Sequence, residues 1–153
     1  LGYSTGSFYS YFPDKTAFFI AVQEWVNEDQ IKTFMKTIET PEMAQKNLTE
    51  RLSTCVDFAL SYFRKHTGVI RSAVRYERRI PQGWAPNRAT TQRLINAAST
   101  GLGVADRQRL EVALQLAFGM LVNALLHDPG PLRLGDKEMG PKIIMVLKPY
   151  LST

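Results

Sequence analysis

The feature that most limits the possible folds is a fifteen-residue apolar stretch, VALQLAFGMLVNALL, from Val112 to Leu126. Apart from Gln115 and Asn123 its side chains are nonpolar, so a helix built from it is apolar nearly all round. Such a helix must be covered on every side. A membrane-spanning helix needs about 20 predominantly apolar residues, so this shorter and partly polar stretch predicts a helix inside a helical assembly.

The rest of the chain also has helical rather than alternating periodicity. Leu48, Leu52, Val56, Ala59 and Phe63 recur at spacings of three and four, and no Asn-Gly or Asp-Gly hairpin signal separates alternating runs. Thr40 followed by Pro41 is a typical helix start. The expected fold is all-α, with helices near 5–12, 14–37, 41–64, 69–79, 88–99, 106–126 and 140–150, of which 106–126 is capped by Asp106. In 14–37 the predicted apolar stripe is Phe18, Val22, Trp25 and Val26, extended by Phe34 and Ile38.

Composition indicates a soluble cytoplasmic protein. The chain has 153 residues, enough for one domain or one domain with part of another, and a single cysteine, Cys55, which excludes an internal disulfide. No stretch has the pattern of a signal peptide. The net charge of +5 is not evidence for DNA binding, because residues 64–93 carry eight basic residues and one acid while residues 1–40 carry three Lys and five acids.

An enzyme is not expected. Cys55 and His66 are eleven residues apart, about 16 Å along a helix, which is too far for a nucleophile and its base. His66 and His127 have no metal-ligating companion at helical spacing. The segment GLGVAD lacks the third glycine of a dinucleotide loop. We therefore expect no cofactor and no metal.

The first residues, LGYSTGSFYSYFPDK, form the most informative motif. In a helix capped by Ser4, Phe8 and Phe12 share one face and can be buried, while small hydroxyl residues and Tyr9 point elsewhere. A short helix with a small, polar N-terminus suits insertion into a DNA major groove. Lys15, in the first turn of the next helix, is poorly placed for the helix dipole unless an anion such as a phosphate lies nearby.

This motif resembles the recognition helix and following turn of the TetR family of transcriptional regulators. The matching residues are Gly2, Ser4, Gly6, Ser7, Phe8, Tyr9, Tyr11, Phe12 and Lys15, and Tyr3 and Thr16 depart mildly from the pattern. The resemblance covers about fifteen residues. It implies the end of a helix-turn-helix DNA-binding domain with its linking helix at 1–37, and a helical ligand-binding and dimerisation domain at 38–153.

The resemblance also implies the DNA contacts. They would come from Ser4, Thr5, Gly6, Ser7, Tyr9, Ser10 and Lys15, with Tyr9 and Lys15 holding phosphates; Tyr11 is equally compatible with packing between helices. Family members carry two helices before this one. We therefore expect this chain by itself to bind an operator weakly, and its full-length parent to bind operator DNA tightly.

The same family binds a small-molecule effector in the helical domain. Candidate pocket residues are the aromatic and basic side chains Phe58, Tyr62, Arg75, Tyr76, Trp84 and Phe118, although each aromatic is equally compatible with ordinary packing. The basic stretch RKHTGVIRSAVRYERR sets Arg71, Arg75 and Arg78 or Arg79 on one helix face. That face suits either an anionic ligand or plain exposure to solvent.

A homodimer is the expected assembly. The helix at 106–126 and the last helix, from each of two chains, would form a four-helix interface through Leu114, Leu121, Leu125, Ile144 and Leu147. The open alternative is that 106–126 is the central helix of a monomer. The predicted function is a ligand-responsive DNA-binding regulator, expected to be a repressor; the alternative is a helical dimerisation or adaptor domain without DNA binding.

Overall fold

The chain is mainly helical in the part that the structure, a computed structural model, describes, namely residues 11–76, 85–127 and 130–152. No strand occurs within these ranges, which confirms the predicted all-α class. The described helices are α1 (Lys15–Ile38), α2 (Pro41–Gln45), α3 (Leu48–Lys65), α4 (Thr67–Tyr76), α5 (Ala85–Ala98), α6 (Val104–His127) and α7 (Met139–Leu151). The predicted helix at 5–12 lies almost wholly outside the described residues.

Local sequence signals account for the beginnings of α1 and α2. Asp14 is the N-cap of α1, and its Oδ1 accepts a hydrogen bond from the amide of Ala17 at 2.7 Å. Thr40 caps α2 in the same way, with its Oγ1 3.2 Å from the amide nitrogen of Met43 and with Pro41 at the first helical position. These caps satisfy amides that a helix otherwise leaves without partners.

The predicted helix at 41–64 is wrong, because two helices occupy that range. Asn47 begins α3 with a capping box: its side chain accepts from the amide of Glu50, and the Glu50 carboxylate accepts from the amide of Asn47. A reciprocal cap of this kind starts a new helix at that position. The chain changes direction there, which lets Met43 of α2 reach the core.

The start of α6 also differs from its prediction. The helix begins at Val104, so Asp106 lies in its first turn, where its carboxylate pairs with Arg109 at 2.8 Å. The preceding turn contains Gly101 at a φ of +78°, a conformation that glycine adopts without strain. By length and composition alone α6 qualifies as a membrane span, contrary to the sequence prediction. The core helix of a soluble protein passes the same test.

The helices form a bundle in which α3 packs against both α6 and α7, and α1 packs mainly against α5. α6 and α7 also pack on each other. α7 approaches α3 closely at Gly140, where an added Cβ would lie 3.1 Å from Leu60 Cδ1. One continuous apolar core runs through the bundle.

Four of the five residues predicted to form a dimer interface belong to this core. Leu114, Leu121, Leu125 and Leu147 are at most 4% exposed within the single chain, so their side chains offer almost no surface to a partner. Ile144 is half-buried against the same core. The predicted dimer interface therefore used the wrong face of each helix. The side of an apolar helix that faces its own chain is buried first, and only the opposite side is left for a partner. The outward faces of α6 and α7 instead expose Leu116, Met145, Val146 and Tyr150.

Candidate ligand cavity

A cavity of about 350 Å³ lies between five of the helices. α1 contributes Asn27 and Gln30, α3 contributes Tyr62 and Phe63, α4 contributes Ile70, and α6 contributes Phe118 and Val122. The α5 wall is formed by Asn87, Arg88, Thr91 and Gln92. The volume of the cavity is within the range of about 300–1,000 Å³ typical of small-molecule sites.

The buried face of α1 carries a row of amides, two of which line the cavity. Gln23, Asn27 and Gln30 lie on one face of α1 and are 1%, 4% and 6% exposed. The Tyr62 hydroxyl donates to Asn27 Oδ1 at 3.0 Å, and Asn87 Nδ2 donates to Gln23 Oε1 at 2.6 Å. These two bonds join α1 to α3 and to α5, so the lining of the cavity also holds the helices around it.

Two amide nitrogens in this row are left over. Asn27 Nδ2 and Gln23 Nε2 are buried and find no hydrogen-bond partner among the residues that the structure describes. Leaving a buried polar group unpaired costs about 1–3 kcal/mol. Of the two residues, Asn27 lines the cavity.

The opposite side of the cavity is apolar and aromatic. Phe63 lies between the rings of Tyr62 and Phe118, with centroid distances of 6.3 Å to each. Ile70 and Val122 complete this surface. Phe118 also borders an open groove between α5 and α6, lined by Ile95 and Val112 among others, so its ring separates the cavity from that groove.

The electrostatics of the cavity favour neutral groups. Burial raises the pKa of Tyr62 well above its usual range, so its hydroxyl stays protonated and hydrogen-bonded at neutral pH. Arg88 is the one charged side chain among the described lining residues, and it is exposed and has an interaction of its own. His66, whose ring centroid lies 5.1 Å from that of Tyr62, has its pKa lowered by burial and by neighbouring Lys65.

The structure brings together two of the six predicted ligand residues, Tyr62 and Phe118. Phe58 instead packs in the core, with its ring centroid 4.8 Å from that of Phe34, and borders a void of about 10 Å³. Arg75 is exposed and does not line the cavity. The Tyr76 side chain and Trp84 lie outside the described residues.

The described basic residues of the stretch RKHTGVIRSAVRYERR do not line this cavity. Arg71 Nε donates to the Leu125 carbonyl near the end of α6 at 3.2 Å. Arg64 donates to the carbonyl oxygens of Leu134 and Asp136 in the segment before α7, at 2.8 and 2.9 Å. Two of these arginines therefore hold backbone segments in place, while Arg78 and Arg79 lie outside the described residues.

Sequence analysis missed the polar lining, namely Asn27, Gln30, Asn87, Thr91 and Gln92. A signal for part of it exists in the sequence, because Gln23, Asn27, Gln30 and Phe34 recur at spacings of four, three and four on α1. Such a stripe of amides continuing into an apolar stripe indicates a helix face that is buried yet polar. This amide stripe was overlooked because Phe18 and Trp25 were assigned to the buried face of α1, whereas they are 40% and 69% exposed.

The predicted DNA-contacting residues Ser4, Thr5, Gly6, Ser7, Tyr9 and Ser10 lie outside the described residues. Lys15 is the first residue of α1 and is exposed. It lies directly after the Asp14 cap, on the same helix as Asn27 and Gln30 of the cavity.

Comparison with protein-family models, with curated proteins and with solved structures finds no match to this chain. The functional argument therefore depends on the motif at the start of the chain and on the cavity.

Proposed function

We propose that this chain belongs to a ligand-responsive DNA-binding transcriptional regulator, expected to be a repressor, that acts as a homodimer and is released from its operator by a small molecule. Thr5, Gly6, Ser7, Tyr9 and Ser10 would contact bases and backbone, and Lys15 a phosphate. The proposal combines the TetR-like motif with one observation of the fold: the helix that directly follows the motif also forms a wall of the cavity.

That helix is α1. Lys15 begins it, while Asn27 and Gln30, three and four turns further along, line the cavity. A ligand that contacts these amides acts on the same rigid element that would orient the DNA-reading segment. Because the cavity borders the middle of α1 and the motif precedes its start, a ligand that shifts α1 would couple the two sites.

The second element of the proposal is a two-fold dimer through the outer faces of α6 and α7. These helices pack together and leave Leu116, Met145 and Val146 50%, 68% and 56% exposed. Several large apolar side chains exposed on two adjacent helices are typical of an interaction surface. A dimer is required by the proposal, because two DNA-reading segments must be held at a defined separation.

The test is a gel shift in modest salt, using the full-length parent protein and the DNA that flanks its own gene. A sharp shift that resists non-specific competitor DNA is expected, and a variant with Tyr9→Ala and Lys15→Ala should lose it while keeping its helical circular dichroism. Lys32→Ala, an exposed lysine on the same helix, is the matched control and should retain the shift.

If a folded, dimeric parent binds its flanking DNA no better than competitor DNA, the regulator proposal fails. The chain would then be a helical dimerisation or adaptor domain without DNA binding. Once a specific shift is established, its loss on adding a small molecule identifies the effector.

A further inference from the structure

We infer that the cavity between α1, α3, α4, α5 and α6 takes a neutral, two-ring-sized apolar molecule carrying one hydrogen-bond acceptor, such as a carbonyl oxygen, which is recognised by the side-chain amide of Asn27. The inference deepens the proposed function, because it names the chemical class of the effector. It replaces the anionic ligand that the basic stretch suggested.

The size of the ligand follows from the volume of the cavity. An apolar cavity of about 150 Å³ is large enough to bind one benzene molecule. The present cavity, at about 350 Å³, is a little more than twice that size. The aromatic surface of Tyr62, Phe63 and Phe118 favours a flat, apolar body, since aromatic rings pack well in offset or edge-to-face contact.

The acceptor is specified by Asn27. Its Oδ1 is already occupied by the Tyr62 hydroxyl at 3.0 Å, which leaves the two hydrogens of Nδ2. That nitrogen is buried and lacks a partner among the described residues, and the residue that carries it lines the cavity. A ligand acceptor at this position satisfies it, whereas a ligand without one leaves the unpaired donor in place. Acceptor-bearing molecules are therefore selected over equally apolar ones.

The other described lining residues favour a ligand without charge. It contains amides, a hydroxyl, a phenol and apolar groups, and neither carboxylates nor lysines. Arg88 is exposed and has another interaction. A buried carboxylate or ammonium group on the ligand would have to give up its hydration without a dedicated counter-charge, which is strongly unfavourable.

The inference is tested by calorimetric titration of the chain with a matched set of probes: 2-acetylnaphthalene, 2-ethylnaphthalene and 2-naphthoate. The ketone should bind about five- to tenfold more tightly than the ethyl compound, the ratio expected for one net hydrogen bond. The carboxylate should bind more weakly than either. Asn27→Leu should abolish the preference for the ketone and leave the affinity for 2-ethylnaphthalene unchanged or higher.

The control variant is Asn123→Leu, at an exposed asparagine of α6 that does not line the cavity, and it should keep the ketone preference. Circular dichroism verifies folding of each variant. The inference is overturned if 2-naphthoate binds most tightly, if the ketone and the ethyl compound bind equally, or if the folded chain binds none of the three. Binding of indole, which offers a ring N–H donor, more tightly than 2-acetylnaphthalene would also overturn the inference.

The titration contains no DNA, so its failure is distinct from that of the proposed function. A specific gel shift combined with no ketone preference overturns the ligand class alone. A ketone preference in a parent that binds no operator leaves the ligand class standing and removes the regulator.

Discussion

Asn87 Nδ2 of α5 donates a hydrogen bond to Gln23 Oε1 of α1 at 2.6 Å, with both residues at least nine-tenths buried. The bond crosses the most extensive helix contact in the described part of the chain, that between α1 and α5. Because Asn87 also lines the cavity, a ligand that displaces it changes the contact that positions α1. The pair is therefore a structural link between α1 and α5 at the edge of the cavity.

Replacing either member of this pair should destabilise the fold. Gln23→Leu or Asn87→Leu leaves the other amide buried with one partner fewer, and each should lower the free energy of unfolding by about 1–3 kcal/mol. The double variant should cost about 1 kcal/mol less than the sum, because the second replacement removes the stranded group. Urea denaturation of the four proteins measures this, and strict additivity would show that the bond contributes no coupling.

Arg51 should be among the most sensitive charged residues. It is 4% exposed, and its guanidinium donates to the carbonyl oxygens of Ala44, Lys46, Ala98 and Thr100 at 2.9–3.2 Å. Arg51→Met strands these carbonyls and should cost about 3 kcal/mol or more. Arg51→Lys should recover little, because an ammonium group cannot reproduce the planar fork.

The matched control for Arg51 is Arg107→Met. Arg107 is exposed and pairs with Glu111 at 2.9 Å, one turn along α6. An exposed pair of this kind contributes about 0.5 kcal/mol. Similar losses of thermal stability in the two methionine variants would contradict the clamping role of Arg51.

Cys55 should make the fold less stable at alkaline pH. Burial raises its pKa from 9.0 to about 12, although Arg51 and Lys46 act in the opposite direction. Above pH 9 the unfolded thiol ionises while the folded one stays protonated, so the unfolded state binds fewer protons and stability falls as pH rises. The loss is up to about 1.4 kcal/mol per pH unit, beginning near pH 9 and ending near pH 12.

Cys55→Ala removes this pH-dependent loss of stability and serves as the comparison variant. Urea denaturation at pH 7.5 and pH 10 measures the fall in the free energy of unfolding between the two pH values. This fall should be smaller in the variant than in the unsubstituted chain, whatever their absolute stabilities. Equal falls would show that the thiol does not titrate differently on unfolding. The buried thiol should also react with a disulfide reagent only at the rate of unfolding.

The outer face of α6 and α7 should control association. Met145→Lys or Leu116→Lys puts a charge where an apolar contact is proposed, and each should convert the dimer to monomer in sedimentation velocity. Val104→Lys is the control, since Val104 is 86% exposed yet lies a third of a turn away from Leu116 around α6. An unsubstituted chain that is already monomeric at tens of micromolar would refute the proposed dimer surface.

Local chemistry explains which parts of the fold could be predicted. The cap by Thr40 and the proline after it start α2 through contacts within four residues, and the core positions of α3 follow from their spacing. The break at Asn47 was not predicted. Its capping signal, Asn47 followed by Glu50, was nevertheless present in the sequence.

The candidate site was predicted only in part. Tyr62 and Phe118 were found because aromatics are common in cavities, but the same criterion also selected Phe58, which the ring of Phe34 holds in the core. The amide wall could not be found by a search for apolar or charged residues. Whether an asparagine such as Asn27 is solvated or buried depends on the helices that pack against it, and Asn27 meets Tyr62 of α3.

The sequence by itself determined the all-α class, most helix positions and the motif at the start of the chain, because each depends on residues within a few turns of one another. Only the tertiary structure decided which face of α1 is buried, why Leu114 and Leu121 belong to the core, and which amide of the cavity is left unpaired. Those outcomes depend on contacts between residues far apart in sequence. A spacing of three and four defines a helix face but does not say what that face meets.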